Sequence, residues 1–335
     1  MNLLFVQMAV VLLVTLACGW LACRMGQSRV IGEIIGGILL GPSVLGHLSN
    51  DASLRLFPAA SLGTIDQLSS LGLVIYMFLV GMELDLDKIR GQKKMAIVVS
   101  ATSIVIPFLA GAILAHPVQQ RFAPDGVGRL SFVMFLGIAL SITAFPVLVR
   151  ILEERDLSAT PLGTLATICA AFDDVIAWTL LAVALALIKS GGSKPSLIIH
   201  FASLATYLVV MFGVVRPLSR WVALKQDGPL KYEGTCVTIA VLLLSAAFTG
   251  GAGVHPLFGA FVTGVCFPRV KQWNNFIRSR SELFTSAMLL PLFFALTGIR
   301  TRLDTLTRPT MWLWAGIIVV AAAAGKIGGA TLAAR

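Results

Sequence analysis

Long apolar stretches follow one another along the whole chain, and this pattern leaves no segment that resembles a water-soluble core. A helix that crosses a bilayer needs about 20 mostly apolar residues. We predict eleven spans, at 2–23, 31–48, 66–84, 95–115, 129–152, 161–188, 197–223, 232–250, 253–267, 282–300 and 311–334. Charged residues are only 13% of the chain, against about 25% in an ordinary soluble domain. The sequence therefore predicts an all-α polytopic membrane protein, one transmembrane domain over residues 1–335 with no soluble domain.

The basic residues are distributed unevenly between alternate loops. Lys and Arg in one set of loops outnumber those in the other about two to one, and such an excess marks the cytoplasmic side. We therefore expect a multi-pass protein of the cell (inner) membrane with its N-terminus outside and its C-terminus cytoplasmic. The net charge of +10 is attributed to topology, and no nucleic-acid partner is expected. The five cysteines lie in or beside apolar segments and are interpreted as packing residues, not as metal ligands or disulfides.

Two adjacent carboxylates, Asp173 and Asp174, occupy the middle of the span 161–188. Ionisable groups inside a membrane are energetically unfavourable and usually functional. Lys326 is the basic residue that falls well inside a span, so it is the natural partner for one aspartate. Adjacent residues of a helix point about 100° apart, which leaves the second carboxylate free to face a cavity.

This arrangement suits a group that binds either a proton or a cation. Burial and a neighbouring carboxylate favour the protonated acid, whereas a nearby lysine favours the charged form, and the pair should titrate as a coupled unit. Mutually exclusive loading is the physical basis of exchange. The alternative is a helix-to-helix salt bridge that only fixes packing; one Asp with Lys326 fits it, but the second Asp does not.

A proline interrupts the span before the aspartate pair. Ser141, Thr143, Ala144, Phe145 and Pro146 belong to this interruption, where proline removes a backbone donor and bends the helix. Interrupted helices place free backbone groups and helix ends at transporter ion sites, although a simple proline kink is the alternative. We interpret the five residues as a broken helix along the ion path.

Three further features concern helix packing and two titratable side chains. Small residues four apart, as in Gly32 and Gly36, allow helices to approach closely. Glu33 lies near the cytoplasmic end of its span, where we expect it to stay solvated, and it remains a secondary candidate. His255 precedes Pro256 in a short span and fits a helix start better than a proton relay, although histidine titrates in the physiological range.

Six segments in order along the chain resemble the monovalent cation:proton antiporter-2 family. They are GEIIGGILLGP (32–42), FLVGMELD (78–85), TAFPVL (143–148), FDDVIAW (172–178), GVHPLFGAF (253–261) and LPLFFALTG (290–298). The resemblance covers essentially the whole chain, and it implies a secondary transporter, not an enzyme, that exchanges Na⁺ or K⁺ for protons by alternating access. No cofactor is implied, nor any metal beyond the transported cation.

The resemblance also implies details of architecture and mechanism. It implies inverted repeats with a broken crossing helix, and a homodimer in which a core domain moves against a dimerisation domain in the bilayer. Asp174 would bind the cation and proton, Asp173 would pair with Lys326, and 143–146 would be the unwound segment. Family members have about thirteen spans, so the resemblance implies that the last two are missing from this chain and that the domain is incomplete.

Three other functions remain open. A non-transporting regulatory subunit or fragment is compatible with the abrupt end of the chain. A cation channel needs a filter of carbonyls or charges, and no repeated filter sequence is present. An intramembrane aspartyl protease needs two carboxylates that face each other, which adjacent residues on one helix do not provide.

Overall fold

The chain folds into a bundle of membrane-length helices. A computed structural model describes residues 3–84, 93–123, 126–188, 194–225, 228 and 230–333, and within these ranges every regular element is helical. The α-helices are α1 (Leu3–Arg24), α2 (Arg29–Leu40), α3 (Leu45–Leu48), α4 (Asn50–Leu56), α5 (Ala59–Glu83), α6 (Lys93–Phe122), α7 (Arg129–Ser141), α8 (Phe145–Glu154), α9 (Pro161–Ile188), α10 (Lys194–Val210), α11 (Arg216–Lys225), α12 (Tyr232–Gly251), α13 (Pro256–Cys266), α14 (Lys271–Phe284), α15 (Leu290–Ile299) and α16 (Pro309–Ala333). A π-helical turn joins α10 to α11 at Met211–Val215, and another joins α14 to α15 at Thr285–Leu289.

The all-α polytopic prediction is confirmed. In the described ranges, ten helical segments are long and apolar enough to cross a membrane, and Pro256–Cys266 is a shorter apolar helix. Large apolar side chains point outward along these segments, for example Leu13 (66% exposed), Ile113 (75%) and Val319 (66%). In water such surface would be strongly unfavourable, and lipid is the solvent that suits it.

Two predicted boundaries are wrong, and one predicted span is interrupted. The second span, predicted at 31–48, corresponds to the segment Arg29–Leu48 but is not one continuous helix, because Gly41 is extended (φ −84°, ψ −178°) and ends α2, and Pro42 follows it. The third begins at Ala59 and the tenth at Lys271, well before the predicted starts. The turns added at the start of the tenth span belong to the polar, amphipathic α14, so a hydropathy criterion does not detect them.

The helices pack as two groups. In the first group, α2 packs on α1 and α15, and α5 packs on α13 and α15; in the second, α6 packs on α7, α9 and α16. Glycine makes the closest approaches possible: a Cβ at Gly37 would overlap the backbone of Ala295, and one at Gly32 would overlap the backbone of Cys18. The predicted close packing at the small residues of α2 is therefore confirmed.

The helix α8 connects the two groups at one end of the bundle. Glu154 Oε2 accepts hydrogen bonds from Ser28 Oγ (2.6 Å) and from the backbone N–H of Arg29 (2.9 Å). Glu153 Oε2 accepts one from the Tyr76 hydroxyl at 2.8 Å. We call this end, where the segments 24–29, 150–158 and 278–282 gather around one open cavity together with Glu83, the basic end.

Candidate functional site

The span that precedes the aspartate pair is broken, as predicted. The helix α7 ends at Ser141, residues 142–144 are not helical, and α8 begins at Phe145 with Pro146 in its first turn. Ile142 and Ala144 have extended backbones (ψ 134° and 90°). The Ser141 hydroxyl donates back to Gly137 O at 2.8 Å. The break therefore leaves the last carbonyls of α7 without helical partners, and these carbonyls need other donors.

Lys326 of α16 donates to this break. Its Nζ donates to the Ser141 carbonyl oxygen at 2.6 Å and to the Thr143 hydroxyl. An ammonium group at the carbonyl end of a half-helix also complements the negative end of the helix dipole. The lysine thus satisfies the backbone that the interruption exposes.

Asp173 is held by two serines of α6. Its side chain is buried (4% exposed). The Ser100 hydroxyl donates to Oδ1, and the Ser103 hydroxyl donates to Oδ2 at 2.7 Å. Each carboxylate oxygen thus has a donor, as a buried carboxylate requires. This aspartate is positioned by α6 in the described conformation.

Asp174 is in a different situation from its neighbour. Its side chain is half-buried, and among the hydrogen bonds of the described residues none involves its carboxylate. It lies close enough to Asp173 for the two charges to interact. Asp174 is therefore a partly accessible carboxylate in the middle of a long apolar helix, with both oxygens available to a ligand.

Comparison with known proteins identifies the family of the chain. A family model described as sodium/hydrogen exchanger, transmembrane, matches residues 10–335. The chain belongs to this exchanger family. Na(+)/H(+) antiporter NhaS4 of Synechocystis sp. is 38% identical over 343 residues, which are 100% of this chain and 82% of that protein.

A second relative is longer than this exchanger-family chain. Cation/H(+) antiporter 20 of Arabidopsis thaliana is 40% identical over 341 residues, 98% of this chain but 40% of the plant protein. The chain thus spans less than half the length of that relative. Among solved structures, that of the sodium proton antiporter MjNhaP1 from Methanocaldococcus jannaschii at pH 8 superposes with a TM-score of 0.63 at 14% identity, over 97% of this chain and 78% of that one. At that identity the likeness shows the shared fold.

The predicted contact between Lys326 and Asp173 takes an indirect form in this chain. Their charges interact, but no ion pair within 4 Å joins them in the part of the chain that the structure describes. The reason is competition: the ammonium binds the exposed end of α7, while the Asp173 carboxylate already has two hydroxyl donors. The expected direct salt bridge is absent from this conformation.

The two secondary candidates have surroundings other than the carboxylates of the aspartate pair. His255 is the N-cap of α13, where its Nδ1 accepts from the Leu257 N–H at 3.4 Å, and its ring lies 5.1 Å from that of Trp178. This matches a helix start. Glu33 was expected to stay solvated, and this was wrong: it is 3% exposed, because α2 packs at the basic end, and its Oε2 has no hydrogen-bond partner among the described residues.

Sequence reasoning missed the residues that support the aspartate pair. Ser100 and Ser103 are one turn apart on α6, and that spacing in an apolar span is a detectable sign of a polar helix face. It also missed the carboxylates of α8, where Arg150 lies 3.8 Å from Glu153 and 3.6 Å from Glu154. These three charges fall at a predicted span end, where charge is ordinary, so the sequence did not distinguish them.

Proposed function

We propose that this chain is the transport domain of a monovalent cation/proton antiporter and that Asp174 binds the exchanged cation and proton in turn. The observation that carries this proposal is the contrast within the aspartate pair. Asp173 has its oxygens occupied by Ser100 and Ser103, whereas Asp174 has no donor among the described residues and is partly accessible. A carboxylate in that position is stabilised either by a proton or by a cation, and one excludes the other.

The broken helix supplies the second element of the proposed exchange site. Lys326 occupies the Ser141 carbonyl and the Thr143 hydroxyl, which holds the two half-helices apart at the level of the aspartate pair. Backbone groups released in this way are the ligands that interrupted transporter helices offer to monovalent cations. Asp173 and Lys326 then act as positioning residues, while Asp174 contacts the ion. Na⁺ and K⁺ both remain candidate substrates, because both accept oxygen ligands.

The orientation that we propose for the chain in the membrane is based on its charged loops. The loops predicted to be cytoplasmic meet in the structure: Arg155 donates to Gly26 O at 2.7 Å, and Arg269 donates to Leu84 O at 2.8 Å. The loops predicted to be outside meet elsewhere, where Arg300 lies 3.2 Å from Asp66. This grouping supports a cytoplasmic basic end and an outside N-terminus.

We also propose a homodimer, as the resemblance implies. The α10–α11 segment carries outward apolar side chains such as Val209 (69% exposed) and Leu218 (55%), which suit either lipid or a second copy. Cross-linking of the full-length protein in native membranes, followed by mass determination, tests the dimer directly.

The exchange function is tested by transport in proteoliposomes. The full-length protein is reconstituted with a pH-sensitive dye, a proton gradient is imposed, and Na⁺, Li⁺ or K⁺ is added in turn. We expect at least one cation to dissipate the gradient and Asp174→Asn to abolish this response, because the amide can neither take up a proton nor balance the cation charge. Asp51→Asn is the matched control, since Asp51 is exposed on α4 and the substitution is chemically the same.

Each other outcome selects a different function. Cation flux without proton movement would indicate a channel. A folded protein that responds to none of the three cations would indicate a non-transporting subunit. Full exchange by Asp174→Asn would contradict the role of Asp174.

A further inference from the structure

An internal cavity lies between the basic end and the aspartate pair. It has a volume of about 70 Å³ and is lined by side chains of α5, α8 and α9, with the segment that connects α8 to α9. Glu83, Glu153 and Ser158 also line the open cavity of about 570 Å³ at the basic end. The two cavities therefore meet at these polar side chains, and the inner one continues toward the middle of α9.

Two threonines of α9 form the inner wall of this cavity. Thr164 is 3% exposed and Thr167 is 5% exposed. The Thr167 hydroxyl donates to Gly163 O at 2.8 Å, which leaves its oxygen lone pairs available to the cavity. The Thr164 hydroxyl makes no hydrogen bond among the described residues. A buried hydroxyl without a protein partner needs a polar occupant of the cavity it lines.

The same face of α9 leads to Asp174. Positions 164, 167, 171 and 174 are spaced by three, four and three residues, which places them on one stripe of a helix with 3.6 residues per turn. Ala171, buried and small (5% exposed), occupies the turn between Thr167 and Asp174. At 1.5 Å per residue, Asp174 lies about 10 Å beyond Thr167 along the helix axis. Asp173 and Cys169 point to the other side of α9.

We propose that the stripe of Thr164, Thr167 and Ala171 is the route by which cations pass between the basic end and Asp174, and that Glu153 binds them at its mouth. The proposal rests on the exchange role proposed above for Asp174. The threonine oxygens replace part of the water around the ion, and Ala171, which packs in the hydrophobic core in this conformation, is the small side chain between the cavity and Asp174. Aliphatic side chains from α5 and α8, Val80 and Val149, complete the wall.

Glu153 is suited to the mouth of the route by its surroundings. One of its oxygens is held by Tyr76, so the carboxylate is fixed in place with the other oxygen unassigned. The open cavity outside it is lined by five carboxylates and four arginines, so a cation that enters it meets several carboxylates. Such a carboxylate raises the local cation concentration without being part of the exchange chemistry.

Thiol accessibility tests the route without measuring transport. The five native cysteines are replaced by alanine, and Thr167→Cys or Ala171→Cys is added to the full-length protein. A membrane-impermeant methanethiosulfonate reagent is then applied to inside-out vesicles. The control keeps Cys169 as the sole cysteine, because it lies at the same depth on the opposite face and is similarly buried (7% exposed).

We expect Thr167→Cys and Ala171→Cys to react about tenfold or more faster than the Cys169 control, since reactivity follows access to water. The transported cation should slow the reaction at position 171, and this protection should be lost in Asp174→Asn. Equal rates at all three positions would overturn the route. Labelling does not depend on transport, so the route and the exchange role of Asp174 can fail separately. If the stripe positions are not labelled while Asp174→Asn abolishes transport, the route is rejected and the exchange role of Asp174 is retained.

Kinetics of Glu153→Gln provide a second measurement. We expect the apparent KM for the cation on the basic-end side to rise about fivefold with the maximal rate unchanged, the pattern of lost binding rather than lost chemistry. Glu233→Gln, at an exposed position of α12, should leave both constants unchanged. An unchanged KM in Glu153→Gln would remove Glu153 from the route, and a proportional loss of rate and folded protein would assign it a purely structural role.

Discussion

The bonds from Lys326 to the broken helix give a quantitative prediction about stability. Lys326→Met removes a 2.6 Å bond to the Ser141 carbonyl and the bond to the Thr143 hydroxyl. Hydrogen bonds from charged groups contribute about 1.5–3 kcal/mol each, and polar pairs between membrane helices reach about 1.7 kcal/mol. The substitution also removes the cost of burying the ammonium group, which offsets part of this loss. We therefore expect the free energy of unfolding to fall by about 2–4 kcal/mol.

A double-mutant cycle isolates the part of this free energy that comes from the bond between Lys326 and Thr143. Thr143→Val removes the acceptor, and in the Lys326→Met background that acceptor has already lost its partner. The two substitutions should therefore be coupled by about 1–2 kcal/mol. Equilibrium unfolding in mixed micelles, at increasing mole fraction of a denaturing detergent, measures all four proteins.

Thr331→Val is the matched control for this cycle. Thr331 lies on the same helix as Lys326 but is exposed, and its hydroxyl donates to Ile327 O within α16. The change in unfolding free energy caused by Thr331→Val should therefore add to the change caused by Lys326→Met. If Thr143→Val and Lys326→Met also add within about 0.5 kcal/mol, the lysine does not stabilise the break and the argument is wrong.

Two further predictions use the same unfolding measurement. Gly37→Ala should lower the free energy of unfolding by about 1–3 kcal/mol, because the added methyl group overlaps the Ala295 backbone. Gly63→Ala is the control and should not destabilise the protein, because no atom lies within 4 Å of the added methyl group. Equal effects of the two substitutions would contradict the close approach at Gly37. Phe145→Ala should lower the free energy of unfolding by about 3–5 kcal/mol, since this ring is 2% exposed and packs against Phe261 with ring centroids 5.2 Å apart. A loss below about 1 kcal/mol would contradict this prediction and would mean that neighbouring side chains fill the space of the removed ring.

The features that are easiest to detect in the sequence are those where one residue conflicts with its surroundings. Asp173, Asp174 and Lys326 are conspicuous because the surrounding residues are apolar. Pro146 is conspicuous because a proline interrupts a helical stretch. Each of these signals is local, so one sequence suffices to detect it.

The partners of these residues were not predictable in the same way. Lys326 binds Thr143 across 183 positions of sequence, and Ser103 binds Asp173 across 70. Such pairs depend on which helices become neighbours, and apolar periodicity does not determine this in a membrane, because every face of a helix can meet lipid or another helix. The same limit explains the burial of Glu33, which depends on the packing of α2 rather than on its own segment.

The break at 142–144 also divides one membrane span into two short helices with different neighbours. Its first half, α7, packs with α6, while its second half, α8, is bonded to Tyr76 of α5 and to Ser28 at the start of α2. A continuous helix would transmit a tilt along its whole length through its ladder of hydrogen bonds. Here the ladder is interrupted at 142–144, so a tilt of α7 is not passed to α8 through backbone hydrogen bonds, and the two halves are linked instead by α9, which packs against both.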